Sequence, residues 1–298
     1  MKRTPGLAAA LLAGAALLSQ AAPAAAQQDF RWSGRLARGE QISVRGIVGD
    51  IRAEPASGGE VVVTAVRRGR GARDVRIETV RRSEGVVICA IWPRDNDDDH
   101  GWRGRRDRDD DDDGREPRDA CNRSGGSTRD NDARVDFTVR VPAGVRVSLG
   151  TVSGDVYATG LHSPVRAASV SGNVRVSSDG PVQATSVSGD IEATLGRTAG
   201  QSLSFSSVSG DVTLRLPAGI DADFSARTLS GSIDSDFPLT IGNGRDRRRG
   251  RDDDDDDGYG PGRIHVRIGQ NASGRLGRGG PDLTVNTVSG DIALVRVR

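Results

Sequence analysis

A five-residue unit recurs down this chain: an aliphatic residue, Ser-Gly, usually Asp, then Val or Ile. It reads Val152-Ser153-Gly154-Asp155-Val156, Val170-Ser171-Gly172-Asn173-Val174 and Val187-Ser188-Gly189-Asp190-Ile191. It returns as Val208-Ser209-Gly210-Asp211-Val212, Leu229-Ser230-Gly231-Ser232-Ile233 and Val288-Ser289-Gly290-Asp291-Ile292. The first five serines stand 18, 17, 21 and 21 residues apart. Such a period is one turn of a stack in which no single turn can bury its apolar face but neighbours together can. The expected fold is therefore all-β: a single-chain β-solenoid of stacked strand repeats, about 20 residues per turn.

Within Thr151 to Ala158, strict strand alternation puts Val152, Gly154, Val156 and Ala158 on one face and Ser153, Asp155 and Tyr157 on the other. The first set is expected inside, and the serines and aspartates outside as ladders. The glycine either spares a crowded facing wall or permits a bend at a solenoid corner. An aspartate ladder repels itself unless spaced, solvated or cation-bound, and Asn173 and Ser232 relieve it. Turn signals such as Gly160, Asp179-Gly180-Pro181 and Pro217-Ala218-Gly219 cut the chain into short strands. Aromatics are 3% of residues, so the core must come from Val, Ile, Leu and Ala, which suit narrow stacked sheets.

Two Asp/Arg-rich inserts interrupt the period and set the expected organisation. Residues 27–92 carry N-terminal strand repeats, 93–133 form a polar insert, and 134–298 carry C-terminal strand repeats with a second Asp/Arg-rich loop at 244–262. Both inserts are expected to be long, disordered acidic loops. Ile47-Val48-Gly49-Asp50-Ile51 matches the unit without its serine. The interval from Val48 to Ser153, less the first insert, has room for about three repeats. The interval from Ser230 to Ser289, less the second loop, has room for about two, with a degenerate copy at Ala272-Ser273-Gly274-Arg275-Leu276. The final strand, from Ile292, is expected at an open sheet edge, where Arg296 and Arg298 deter end-to-end stacking.

Residues 1–26 read as a secretory signal: Lys2 and Arg3, an apolar run from Leu7 to Leu18, and Ala24-Ala25-Ala26 as a small-x-small cleavage site. That run is too short for a permanent membrane span, and no later segment is apolar enough for one. The mature chain is expected to begin at Gln27 and to be exported to the periplasm or cell surface. Cys89 and Cys121 are the two cysteines; in an oxidising compartment they are expected to pair. The 298 residues carry 42 basic and 41 acidic groups. Removing Lys2 and Arg3 leaves a net charge of −1, which argues against a globally basic nucleic-acid binder. Lys2 is the only lysine, so a Walker-type phosphate loop and a lysine Schiff base are excluded from the mature chain.

Gln41-Ile42-Ser43-Val44 with Val48-Gly49-Asp50-Ile51, followed by the repeated Ser-Val-Ser-Gly-Asp-Val copies, resembles the bacterial putative-adhesin domain of unknown function. The resemblance covers most of the mature chain. It implies a solenoid-like all-β fold in an exported or envelope-associated protein and brings no catalytic residues. The Asp/Arg inserts lie outside the family's pattern.

The repeat-motif residues are the candidate surface: Ser153, Gly154, Asp155, Ser171, Gly172, Ser188, Gly189, Asp190, Ser209, Gly210, Asp211, Ser230, Gly231, Ser289, Gly290 and Asp291. The acidic inserts offer a candidate metal set. Asp109, Asp111 and Asp113 precede Gly114, and Asp253, Asp255 and Asp257 precede Gly258, as at the start of a calcium-binding loop. The closing glutamate is replaced by Ala120 and by Ile264, so a tight EF-hand site is not expected. The remaining readings are weak, multi-ion Ca²⁺ binding or a solvated polyampholyte neutralised by its flanking arginines. No other cofactor is implied.

Catalysis on this scaffold would need paired carboxylates and a sugar platform. Asp155, Asp190 and Asp211 form a carboxylate array, but repeat duplication produces the same array and aromatics are scarce. His100, His162 and His265 read as solvated polar residues, and there is no Gly-x-Ser-x-Gly elbow or His-Glu-x-x-His. Trp32 reads as a cap on the first repeat, Trp92 as a neighbour of Cys89, and Trp102 lies in the insert. The leading reading is an exported, non-enzymatic adhesin or scaffold that binds a surface polymer or envelope protein through its solenoid surface. The alternatives are a carbohydrate-active enzyme on the same scaffold and a Ca²⁺-responsive envelope protein.

Overall fold

Alternating apolar and polar residues in three- to nine-residue runs give strands; the computed structural model describes residues 29–92, 121, 132–196, 201–242, 264–267 and 271–297. The chain begins with β1 (Phe30–Gly34), β2 (Gln41–Arg45), β3 (Ile51–Pro55), β4 (Val61–Arg68), β5 (Arg76–Arg82) and β6 (Gly85–Ile91). There follow β7 (Arg134–Val141), β8 (Arg146–Ser153), β9 (Val156–Leu161), β10 (Val165–Ser171), β11 (Val174–Ser178), β12 (Val182–Ser188) and β13 (Ile191–Leu195). Next are β14 (Leu203–Ser209), β15 (Val212–Pro217), β16 (Ala222–Ser230), β17 (Ser232–Ser235) and β18 (Thr240–Gly242). The series ends with β19 (Ile264–Arg267), β20 (Asn271–Leu276), β21 (Asp282–Ser289) and β22 (Ile292–Val297). The described residues contain no α-helix, and a short 3₁₀ turn spans Ala72–Asp74.

The strands form two 11-stranded sheets. A coil is one strand in the second sheet followed by one strand in the first, joined in the six repeat units by a Ser-Gly corner, as in β10 and β11. The coils stack in parallel register, with Val165 beside Val182 and Val174 beside Ile191. Inward side chains of both sheets meet in a thin aliphatic core: Val174 and Val176 from β11, Ile191, Ala193 and Leu195 from β13, Leu203 and Phe205 from β14. The fold is a flattened β-solenoid with about 10 Å between its sheets.

The stacking order is not the sequence order. In space the coils run β6–β7, β2–β3, β8–β9, β10–β11, β12–β13, β14–β15, β21–β22, β16–β17. Near each end, one coil is interleaved out of turn. β22 therefore lies between β15 and β17, in register with both. This corrects the expectation that the final strand sits at an open edge; Arg296 instead donates to the carbonyl of Asp236 and stacks over Phe237. Two further expectations fail for one reason: the ends of the stack are closed by antiparallel strands rather than by more coils. Ala272–Leu276 is no degenerate turn of the solenoid but belongs to β20, antiparallel to β16. Upstream, β4 runs antiparallel to β7 and β5 antiparallel to β6, so one coil stands where room for three was expected. Antiparallel caps shield the coil edges from pairing with other chains.

Cys89 and Cys121 are disulfide-bonded. Cys89 points away from the main core into a satellite cluster with Val87 and Cys121, against Val80 and Ile91. Trp92 goes the other way. It is buried in the main core rather than packing with the disulfide, and Trp32 packs on the same core from β1, the outermost strand of the first sheet.

Candidate functional site

The six copies of the repeat unit come together along one edge, where the chain passes from the second sheet to the first. Their serines stack in the order Ser153, Ser171, Ser188, Ser209, Ser289, Ser230. The edge is a set of parallel columns about 4.8 Å apart from coil to coil.

The glycine column forms the corner. Gly189 has φ of +150°, and a Cβ there would run into the backbone carbonyl of Gly172 one coil below. Its amide donates to Ser209 O of the coil above, 3.0 Å away. The same close approach repeats along the column, so of the two roles weighed for the glycine, the corner is the one it fills. The crowding partner is the neighbouring coil, not the facing wall.

The corner also resets the strand phase. Val156 and Ala158 are buried and Asp155 and Tyr157 face outward, as alternation requires. Val152, expected inside, is outside and 46% exposed, because the strand before the corner belongs to the other sheet. The inward residue there is its neighbour Thr151. The reversal holds in every copy: Val170, Val187, Val208 and Val288 are 43–47% exposed and Leu229 is 68% exposed. Six aliphatic side chains thus form an outward column about 24 Å long, flanked by the exposed serines.

Beneath that column lies a buried hydroxyl ladder that the sequence reading missed. Ser169 Oγ donates to Gly154 O at 2.9 Å, Ser186 to Gly172 O at 3.2 Å, and Ser207 to Gly189 O at 3.2 Å. Thr151, Thr287 and Thr228 do the same for Gly49, Gly210 and Gly290. The signal was in the sequence: the residue two before each motif serine is always Ser or Thr.

The acidic column is a hydrogen-bond relay. The Asn173 amide donates to Asp155 Oδ1 (2.8 Å), Asp190 N to Asn173 Oδ1 (2.9 Å), and Asp211 N to Asp190 Oδ1 (2.9 Å). Asp291 N continues it to Asp211 and Ser232 N to Asp291. Each side chain therefore accepts from the next coil's backbone, which offsets repulsion along the ladder. At its lower end Arg134 bridges Asp50 and Asp136 at 2.7 and 2.8 Å. Burial pushes the Asp136 carboxyl up, but hydrogen bonds from Arg134 and the Asp50 amide, with the Arg134 and Arg68 charges, outweigh it and hold its pKa below the ordinary value.

Beside this relay the first sheet has a polar hollow of about 300 Å³, lined by Tyr157, Arg175, Glu192 and Arg215 among others. Its charges are mutually engaged. Glu192 is bound by Arg175 at 2.7 Å and by Arg215. The Arg175 hydrogen bond, with both arginine charges, outweighs partial burial and lowers the Glu192 pKa. Tyr157 donates to Asp155 Oδ2 at 2.9 Å, and that hydrogen bond raises its pKa.

Asp155, Asp190 and Asp211 share the relay rather than converging on one point. His162 pairs with Asp179 at 2.6 Å on the surface. Among the described residues no three His, Cys, Asp or Glu side chains are placed to hold a metal ion. Asp109, Asp111, Asp113, Asp253, Asp255 and Asp257 lie outside the described residues, as do His100 and Trp102.

Residues 119–258 match the Toastrack domain family, DUF4097. The Toastrack match spans β7 through β18 and so takes in five of the six repeat units. It agrees with the resemblance to a putative-adhesin domain of unknown function. The structure is also similar to that of a putative cell adhesion protein from Clostridium sporogenes, with 8% sequence identity and a TM-score of 0.45 over 90% of this chain and 99% of that one. No curated protein matches the sequence.

Proposed function

We propose that this chain is an exported, non-enzymatic adhesin or scaffold of the cell envelope, and that it binds through the edge bearing the Val/Leu and serine columns. The observation that carries this reading is the outward aliphatic column, Val152, Val170, Val187, Val208, Val288 and Leu229. A continuous exposed apolar stripe rimmed by polar groups marks an interaction surface. Here it lies on a backbone locked by two ladders, so little ordering entropy is lost on binding. A repeating stripe fits an extended polymer or another repeat protein better than a small molecule. The hollow of the first sheet is the weaker candidate, because its arginines already hold Glu192. Export is supported by the Cys89–Cys121 bond, typical of oxidising compartments, together with the signal-like residues 1–26. The expected acidic loops at 93–133 and 244–262 lie, apart from Cys121, Asp132 and Ala133, outside the described residues.

The test is a binding screen of the mature protein against envelope fractions and glycans, repeated with Val170→Thr, Val187→Thr and Val208→Thr combined. Each change places a hydroxyl in the contact at a cost of about 1 kcal/mol, so affinity should fall about 100-fold. The fold should be retained, since the three positions face solvent. Undiminished binding by the triple variant, or no binding to any fraction by the parent, would remove this reading.

A further inference from the structure

The coil β21–β22 fills a gap that the rest of the chain leaves open. After β15 the chain skips one coil position, builds β16–β17 in the next, and adds the antiparallel strands β18, β19 and β20. Only then does it return, so that β21 pairs in parallel with both β14 and β16 and β22 with both β15 and β17.

What holds this coil in place is not particular to it. Thr287 Oγ1 donates to Gly210 O at 3.3 Å, and Thr228 Oγ1 to Gly290 O at 3.0 Å. Asp291 N donates to Asp211 at 2.8 Å and Ser232 N to Asp291 at 2.7 Å. These bonds repeat those between the other coils of the stack. The slot therefore reads the pattern Ser/Thr-aliphatic-Ser-Gly-Asp-aliphatic, and a coil supplied by another copy satisfies it equally well.

The connection into the slot is a ready hinge. Gly277, Gly279 and Gly280 have φ of +59°, +78° and +155°, and Pro281 follows. The turn is pinned from outside by Asp221, which accepts from the Arg278 backbone and guanidinium, each at 2.8 Å. Extending it loses this surface ion pair and gives up a turn that glycines adopt readily.

We propose that copies of this chain join by exchanging β21–β22, each copy's slot taking the coil of a second copy. Every ladder bond is regained in the exchanged pair. The opposing costs are association entropy and the loss of the hinge turn, so exchange rises with protein concentration and with any change that disfavours the closed hinge.

The experiment uses the full chain. Ser204 and Thr284 are in-register neighbours on β14 and β21, both on the outer face of the sheet. Chains carrying Ser204→Cys alone and Thr284→Cys alone are mixed, warmed into the unfolding transition, cooled, and treated with a short thiol cross-linker. A covalent dimer is expected. Its yield should rise with concentration and with Asp221→Asn, and deleting residues 278–280 should shift most of the protein to dimer by light scattering. A chain carrying both cysteines should link within itself before warming, which confirms the fold and the spacing. Internal linking by the double variant without a covalent dimer in the mixture overturns the proposal. So does a dimer that forms without the 204–284 link, since that is association through an outer surface. Unsubstituted chains, labelled and unlabelled, provide an independent reading: they should give mixed dimers by native mass spectrometry after warming together, and their absence also counts against exchange.

Discussion

Gly189 holds a φ of +150° with its open side against the carbonyl of Gly172. Gly189→Ala must twist the backbone or push the adjacent coils apart. The expected loss is about 3 kcal/mol or more, measured by denaturant unfolding. Ser186→Ala removes only a hydroxyl that donates to the Gly172 carbonyl, and about 1 kcal/mol is expected in the same assay. Val187, although it is the aliphatic residue of that unit, faces solvent; Val187→Thr should change stability by less than about 0.5 kcal/mol. The ranking glycine, serine, valine reverses what hydrophobicity alone suggests. The acidic groups add a pH dependence. Asp136 and Glu192 have folded pKa values below their ordinary ones, so the folded state binds fewer protons than the unfolded state in the carboxylate range. The stability they contribute is present at neutral pH and is lost as pH falls through about 4 toward the lowered values. Thermal melts should show this acid limb, and Asp136→Asn should flatten it.

The element that varies least is the coil, and the element that varies most is what closes the stack. Cys121 is tied onto the outer face of β6, beside Val80 of the antiparallel cap strand β5. Reduction should loosen that end. On the chain-entropy model the bond, closing a loop with 31 residues between the cysteines, is worth roughly 3.5–4 kcal/mol. Hydrogen exchange should quicken in β5 and β6 while β10–β15 stay protected; uniform loss of protection would mean that the disulfide supports the whole solenoid instead. The coil itself was legible in the sequence, because Val156, Val174, Ile191 and Val212 recur behind Ser-Gly at a fixed spacing. The phase of Val152 and its counterparts was not. Alternation predicts faces only within one strand, and Ser-Gly is where one strand ends and another sheet begins. Cap strands were illegible for a related reason: β20 carries an Ala-Ser-Gly that imitates a corner, and only its antiparallel pairing with β16 separates the two.

At the scale of the whole molecule, stability is a sum over neighbouring coils, but order in space departs from order in sequence at both ends. In a solenoid stacked in sequence order, loss of a last coil removes one interface. Here β21–β22 contributes two, so a chain shortened to residue 281 should melt far below the parent in circular dichroism rather than slightly below it. An equal decrement to that of a simple terminal coil would show that β16–β17 slides down to close the gap. No repeat period could have revealed the interleaving, because each unit is compatible with any neighbour; what marks it is the glycine turn at 277–280 and the long return from Ser230 to Ser289. The interleaved coil also bears on how the chain matures. Residues 282–297 leave the ribosome after both of the layers they separate, so the nascent polypeptide carries an unfilled wedge until they emerge. The wedge therefore closes only once that coil has been made, whatever the order in which the other layers settle.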